Sequence, residues 1–220
     1  MIKSACLLGI DVGGTVVKVG SFDADGTSLG LCETPIPGVS LRPGWAEIDP
    51  HLWYVTFAAG VRHVVRQGGV ARTKVAAIGL SNLIGTVAPL DAAREPLLAA
   101  ITYYDTRSAS EAGWMLQQAP SIPQVAGNRV TPANTSLASI LWLQRNEAET
   151  YSRAATFAQT NTLLFVWLTG TRRTDWTNAS SMGLVDHRTL DWSPDLASSK
   201  QERCHHVAVQ SDHHRSRRPG

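Results

Sequence analysis

The chain has 220 residues, of which 43% are hydrophobic and 17% charged, and its three cysteines form no CxxC pair. This composition excludes a disordered chain, a collagen and a coiled coil, and the sparse cysteines favour a reducing, cytoplasmic setting over a disulfide framework. The sequence contains no run of about 18 apolar residues, so no membrane span is predicted. The apolar stretch at 5–10 is interrupted by Asp11, which is too early for a signal peptide.

The formal net charge of +2 is unevenly distributed along the chain. Residues 199–220 hold five basic residues against two acidic ones, so the remainder carries a slight acidic excess. A nucleic-acid-binding domain needs a basic surface, and the body of this chain offers none. We therefore expect no nucleic-acid partner.

The first half of the chain predicts an antiparallel meander followed by a helix. Three apolar runs typical of strands lie at 5–10, 16–22 and 28–34, with turn-forming residues at 23–26. A helix is predicted to begin at Asp49, a good N-cap, with Pro50 in the first helical position. It should run to about residue 67 and end at Gly68.

The second half predicts alternating strands and helices. Strands are expected at 74–81, 85–90 and 97–103, with a turn at 91–96. Helices are expected at 108–118, 137–147 and 161–168, and a helix or loop at 173–183. We predict an α/β domain with a five-stranded mixed sheet. Beyond residue 196 the periodicity is lost, so 199–220 is predicted to be a disordered tail.

The first segment with evident chemistry lies between the first two predicted strands. Gly13 and Gly14 allow backbone N–H groups to approach an anion without an intervening Cβ. Thr15 adds a hydroxyl donor, Lys18 adds a positive charge, and the carboxylate of Asp11 suits Mg²⁺. The segment matches neither the P-loop nor the dinucleotide pattern, and a plain glycine turn with a capping aspartate is the alternative.

This hairpin, at 10–15, resembles the first phosphate hairpin of the actin-like ATPase superfamily of sugar kinases, which includes the ROK and FGGY branches. Four further segments are similar to FGGY motifs in the same order. They are PGWAEIDP at 43–50 with Trp53, AIGLSN at 77–82, YYDTR at 103–107, and TDWTNAS at 174–180 followed by TLDW at 189–192. The cysteine-rich motif of many ROK proteins is missing. The chain thus resembles the N-terminal domain of an FGGY carbohydrate kinase.

The resemblance implies a ribonuclease H-like, actin-like ATPase fold for residues 1–198, with 199–220 as a frameshifted or truncated tail. It implies ATP-dependent phosphorylation of a sugar or polyol hydroxyl, with a pentulose favoured, using Mg²⁺. In such kinases the general base and the adenosine pocket belong to a second domain. We expect neither within this chain.

The resemblance also assigns roles to individual residues. Asp11 would lie beside Mg²⁺ and the transferred phosphate, and Gly13, Gly14, Thr15 and Lys18 would line the phosphate hairpin. The substrate would be contacted by Asn82, Ile84, Gly85, Tyr103 and Asn134. The chain departs from the family's usual residues at three places, which are the uncharged pair at 84–85, Tyr103 in place of tryptophan, and Asn161 in place of aspartate.

Several alternatives stay open at this point. The chain could be a non-catalytic fragment that binds a sugar or forms a homodimer, or a ROK-type kinase or regulator. Asp105 and Arg107 could form a structural ion pair, and Asn178 has the character of a turn or cap residue. The cysteine and histidines at 204–214 match no structural zinc spacing.

Overall fold

A computed structural model describes residues 5–38, 42–69, 74–132 and 134–193. The predicted tail at 199–220 and the proposed domain limit at 198 lie outside these residues. Across the described ranges, no helix combines the length and apolar character needed to cross a membrane.

The described residues form ten strands and seven helices. The strands are β1 (Cys6–Val12), β2 (Val16–Phe22), β3 (Ser28–Pro35), β4 (Glu47–Ile48), β5 (Val75–Asn82), β6 (Ala88–Leu90), β7 (Ala100–Ile101), β8 (Thr156–Ala158), β9 (Val185–Asp186) and β10 (Asp191–Trp192). The helices are α1 (Pro50–Gln67), α2 (Ala109–Gln118), α3 (Ile122–Ala126), α4 (Ser136–Asn146), α5 (Ala148–Arg153), α6 (Thr160–Thr169) and α7 (Trp176–Ser181).

The main sheet has the strand order β3-β2-β1-β5. The first three strands form the predicted antiparallel meander, and β5 is parallel to β1, so the sheet is mixed as expected. Along β1, burial alternates because successive side chains point to opposite faces. Leu8, Ile10 and Val12 face the core, whereas Asp11 faces the other side.

Helix α1 covers the core face of the sheet. Its start is as predicted, because the Asp49 carboxylate accepts a hydrogen bond of 2.9 Å from the His51 N–H, with Pro50 in the first turn. Its end at Gly68 is also confirmed. Trp53 and Val64 are completely buried against the strands.

The prediction of a five-stranded sheet is wrong for the described residues, whose main sheet has four strands. The segments at 85–90 and 97–103 contain only the short strands β6 and β7, which pair with β8 and β4 respectively. Pro89 lies inside β6 and has no N–H, which limits its pairing. These segments therefore form small ladders outside the main sheet.

The predicted helices are present to within about one residue at each end as α2, α4 and α6. Gly170 ends α6 in the left-handed conformation, with φ of 71°. The polar segment at 173–183 contains the short helix α7, and the sequence did not predict α3, α5 or β8. Helices α2 and α4 pack together through Ala112, Met115 and Leu141.

Candidate phosphate and sugar site

The turn between β1 and β2 is closed by one short hydrogen bond. The Gly13 N–H donates to the Val16 carbonyl at 3.0 Å. A Cβ on Gly13 would lie 2.8 Å from that same oxygen, so only glycine fits without a shift of the backbone. Gly14 and Thr15 occupy the tip, where Thr15 is exposed.

Two further bonds fix the carbonyl groups of this turn. The indole N–H of Trp53 donates to the Gly13 carbonyl at 3.1 Å, and the Ile36 N–H donates to the Thr15 carbonyl at 2.8 Å. Both carbonyls are therefore bound to the protein.

Asp11 and Lys18 lie side by side on the sheet face opposite α1. They are direct cross-strand partners, and Ser81 lies next to Asp11 on β5. All three line a shallow cavity of about 430 Å³. Lys18 also lies 3.8 Å from Glu33 in an exposed ion pair, which is weak enough to leave its ammonium group available to a ligand.

The end of β5 meets the turn, because β1 and β5 are parallel and Val12 pairs with Asn82. The Leu83 N–H donates to the Val12 carbonyl at 3.0 Å. A Cβ on Gly14 would lie 3.8 Å from the Leu83 side chain and 3.9 Å from the ring of Tyr104. The structure thus brings the glycine turn, the 82–83 segment and Tyr104 together.

Asn82 takes part in a chain of amide and carboxylate hydrogen bonds. Its amide donates to the Asn178 side-chain oxygen at 3.2 Å, and Asn178 donates to the Asp175 carboxylate at 2.8 Å. The buried Asn161 also donates to Asp175 at 2.8 Å. The sequence indicates only a turn or cap role for Asn178, and its contact with Asn82 is apparent only in the structure.

Asp175 is the N-cap of α7, since its carboxylate accepts from the Asn178 N–H at 2.8 Å. In the sequence, this pair is indicated by an aspartate three residues before Asn178, the spacing of an N-cap and the backbone N–H that it accepts from. It gives no indication that the amide of Asn178 reaches Asn82.

The uncharged pair Ile84 and Gly85 follows the 82–83 segment in the chain. Ile84 is half-buried, and Gly85 is buried with φ of 70°, a conformation that favours glycine. Gly85 therefore makes the turn that leads the chain away from β5.

Tyr103 and Tyr104 form a tilted aromatic pair with ring centroids 3.9 Å apart. Tyr103 is half-buried, whereas Tyr104 is 60% exposed. The neighbouring Tyr104 hydroxyl raises the pKa of Tyr103, and burial raises it further. Tyr104 is the ring beside Gly14, so Tyr103, the tyrosine that the family resemblance assigns to the substrate, is the more distant member of the pair.

A buried ion cluster anchors the segment that carries the tyrosines. The Arg107 guanidinium contacts both carboxylate oxygens of Asp105 and lies 2.7 Å from a Glu47 oxygen. The Asp105 side chain is only 2% exposed. The structural ion pair considered for Asp105 and Arg107 is therefore present.

Asn134 lies in a different environment. Its N–H donates to the Thr131 hydroxyl at 3.1 Å, and its amide lies 3.4 Å from the Asn128 oxygen. It lines an open cavity of about 520 Å³ together with Arg129, and no residue of the glycine turn contributes to that cavity. Among the described residues, no hydrogen bond of Asn134 reaches the glycine turn, Asn82 or Tyr103.

Within the described ranges, no group of three or more histidine, cysteine, aspartate or glutamate side chains is placed to hold a metal ion. A cation at Asp11 would therefore depend on a single carboxylate together with ligand oxygens and water.

A model of the N-terminal domain of the FGGY family of carbohydrate kinases matches residues 6–204. The chain belongs to the FGGY family. This match selects the FGGY branch over the ROK alternative. The mixed sheet with flanking helices agrees with the actin-like fold expected for an FGGY domain.

Curated relatives of this FGGY chain act on different substrates. A glycerol kinase of Thermococcus onnurineus is 28% identical over 195 residues, which cover 86% of this chain and 39% of the relative. An L-xylulose/3-keto-L-gulonate kinase of Escherichia coli is 27% identical over 191 residues, which cover 86% of this chain and 38% of the relative. The FGGY chain thus spans about two fifths of the length of these relatives.

Solved structures give the same result. A xyloylose kinase from Brucella ovis is 28% identical, with a TM-score of 0.82 over 87% of this chain and 40% of that one. A glycerol kinase from Plasmodium falciparum, solved with ADP, is 25% identical. Its TM-score is 0.78, and the match covers 88% of this chain and 40% of that one. The FGGY chain therefore has the fold of part of these kinases.

Proposed function

We propose that this FGGY chain provides the phosphate-binding side of an ATP-dependent carbohydrate kinase, with a sugar or polyol as phosphate acceptor. The observation that carries the proposal is the position of Gly14. It lies at the tip of a glycine turn whose carbonyls are bound to the protein, next to the end of β5 and the ring of Tyr104. A phosphate chain and a polyol would then meet at one place.

Gly13, Gly14 and Thr15 would contact the phosphates through backbone N–H groups and the threonine hydroxyl. Lys18 would add positive charge from the neighbouring strand. In phosphoryl transfer the protein mainly positions the reactants and neutralises charge, which is what this set of donors can do.

Asp11 suits a hydrated Mg²⁺ ion. Its side chain is half-exposed, and within the described parts of the chain no group donates a hydrogen bond to its carboxylate. Mg²⁺ keeps several waters and takes few protein oxygens, so one carboxylate beside a phosphate-binding turn fits it. The ion would neutralise phosphate charge, while Asp11 would fix its place through water.

The acceptor would lie against Asn82, Ile84, Gly85 and the tyrosine pair. Asn82 can orient a hydroxyl because its own amide is held by Asn178. The rings of Tyr103 and Tyr104 offer an aromatic surface for the C–H face of a sugar. The names of the relatives, which are a glycerol kinase, a xylulose kinase and an L-xylulose/3-keto-L-gulonate kinase, support a polyol or a sugar such as a pentulose. Asn134, which the family resemblance also assigns to the substrate, is left out of this set because its described hydrogen bonds go to Thr131 and Asn128.

The alternative is a fragment that binds a sugar or forms a homodimer without catalysis. The match covers about two fifths of the relatives' length, so the activity of the 220-residue chain has to be tested directly. Turnover and binding distinguish the two functions.

The test is made on the purified 220-residue chain, with amide NMR spectra recorded against magnesium tripolyphosphate and then against xylulose or glycerol. We expect polyphosphate to shift the amide signals of 13–15, and the polyol to shift those of Asn82 and Tyr103. Shifts confined to other parts of the chain would contradict the proposed site. ADP release is measured in parallel, and polyol binding without turnover would favour the fragment.

A further inference from the structure

Trp53 is the residue behind the glycine turn. It lies in the first turns of α1 with no exposed surface, among the apolar side chains of the sheet core. A buried tryptophan needs an acceptor for its indole N–H. Here the acceptor is the carbonyl of Gly13, at 3.1 Å.

This bond fixes the direction of one peptide group. The described chain has no cis peptide bonds, and in a trans peptide the C=O and the following N–H point in opposite directions. Since the Gly13 carbonyl points toward α1, the Gly14 N–H points away from it. Among the described residues, none accepts a hydrogen bond from that N–H.

The direction matters for an anion. A peptide turned the other way would present the Gly13 carbonyl oxygen to a phosphate and repel it, whereas an outward N–H attracts it. The Ile36 N–H holds the Thr15 carbonyl in the same manner, at 2.8 Å. Glycine has wide conformational freedom, so without these two bonds the tip could adopt several orientations.

We propose that Trp53 is a positioning residue that orients the Gly13–Gly14 peptide so that the Gly14 N–H can donate to a ligand phosphate. This inference rests on the proposed phosphate site. It assigns to a core tryptophan a role in ligand affinity that is separate from its packing.

The test compares two tryptophan variants of the 220-residue chain. Trp53→Phe keeps an aromatic ring but removes the N–H. Trp167→Phe is the matched control, because Trp167 packs against Tyr54 and Phe57 with no recorded bond to the turn. Each variant is titrated with magnesium tripolyphosphate while the Gly14 amide signal is followed, and the spread of all amide signals reports whether it is folded.

We expect the apparent Kd for tripolyphosphate to rise about three- to tenfold in Trp53→Phe, the effect of losing one hydrogen bond. Trp167→Phe should keep the affinity of the unmodified chain. If Trp53→Phe is folded and binds as tightly as the unmodified chain, the inference is overturned while the phosphate site stands. If tripolyphosphate does not shift Gly14 in the unmodified chain, the phosphate site and the inference both fail.

A second measurement needs no variant. The indole proton of Trp53 in the unmodified chain should shift during the same titration and follow the same binding curve as the Gly14 amide, because the two groups flank one peptide. A Trp53 signal that stays constant while Gly14 shifts would overturn the inference even if Trp53→Phe did not fold.

Discussion

The guanidinium of Arg107 lies 3.5 Å from the centre of the Trp45 ring, in a cation–π contact. The same group binds Glu47, and the Ala46 N–H donates to the buried Asp105. The segments 42–48 and 102–107 are therefore joined through this ion cluster as well as through the pairing of β4 with β7. Tyr103 and Tyr104 belong to the second segment. The position of Tyr104 beside Gly14 therefore depends on an ion cluster none of whose residues is proposed to contact a ligand.

Replacing Arg107 should destabilise the chain strongly. In Arg107→Ala the buried Asp105 carboxylate loses its partner, and breaking a buried pair in this way costs about 3–5 kcal/mol. This loss of stability is measured as the change in the free energy of unfolding in urea. Arg188→Ala is the control, because Arg188 is mostly exposed in its pair with Asp186 and should change stability by less than about 1 kcal/mol. Equal losses in the two variants would contradict the structural role of the cluster.

Adding a methyl group at Gly13 should disturb the turn. The new Cβ would lie 2.8 Å from the Val16 carbonyl oxygen, so Gly13→Ala is expected to lower stability by about 1–3 kcal/mol, as overpacking does. Gly113→Ala, on the exposed side of α2 with open space around its Cβ, should instead stabilise by about 0.5–1 kcal/mol. Thermal unfolding of both variants checks whether Gly13→Ala lowers the stability and Gly113→Ala raises it. A stabilised Gly13→Ala would mean that the turn is less tight than described.

Removing the charge of Asp11 should weaken the magnesium dependence of phosphate binding. In Asp11→Asn the gain in tripolyphosphate affinity caused by added Mg²⁺ is expected to shrink, because the amide is a poorer partner for a hydrated cation. The affinity is measured by NMR titration with and without Mg²⁺. Asp25→Asn, in the exposed turn after β2, should behave like the unmodified chain. An undiminished effect of Mg²⁺ in Asp11→Asn would remove Asp11 from the proposed site.

Tyr103 should ionise at higher pH than an ordinary tyrosine, because the neighbouring Tyr104 hydroxyl and burial raise its pKa. A raised pKa means that the folded chain keeps this proton longer than the unfolded chain. The resulting stability is complete below the usual pKa of about 10 and is lost as pH rises through the folded-state value. Absorbance titration of phenolate formation tests this. Tyr104→Phe should return Tyr103 toward its ordinary pKa, and no change in that variant would contradict the assigned cause.

The 220-residue chain alone is expected not to phosphorylate a polyol at a useful rate. The family resemblance places the general base in a second domain, and such a base contributes about 10²–10⁴-fold. ADP release is followed with xylulose, ribulose, glycerol and erythritol. Saturable, polyol-dependent turnover that disappears in Asp11→Asn would show that this expectation is wrong.

Local signals made the first part of the fold predictable from the sequence. Asp49 and Pro50 mark the start of α1 by capping alone, and the glycines after residue 67 mark its end. The glycine turn was found because its chemistry is contiguous in the sequence.

Features decided by distant contacts were not predictable. The segments at 85–90 and 97–103 have the composition of strands, but their partners are short pieces far along the chain. Tyr104 and Asn178 were missed because neither periodicity nor capping shows which side chain lies nearest Gly14 or Asn82. Asn134 was assigned through the family resemblance, and among the described residues its hydrogen bonds go to Thr131 and Asn128.

The parallel pairing of β1 with β5 also has a consequence for the order of folding. Strands β1 to β3 are neighbours in sequence and can form as a local meander, whereas the bond from the Leu83 N–H to the Val12 carbonyl closes a loop of about 70 residues. Pairings between distant segments form slowly. The glycine turn should therefore exist early in folding. Asn82 and Leu83, at the end of β5, should reach it only when β5 pairs with β1.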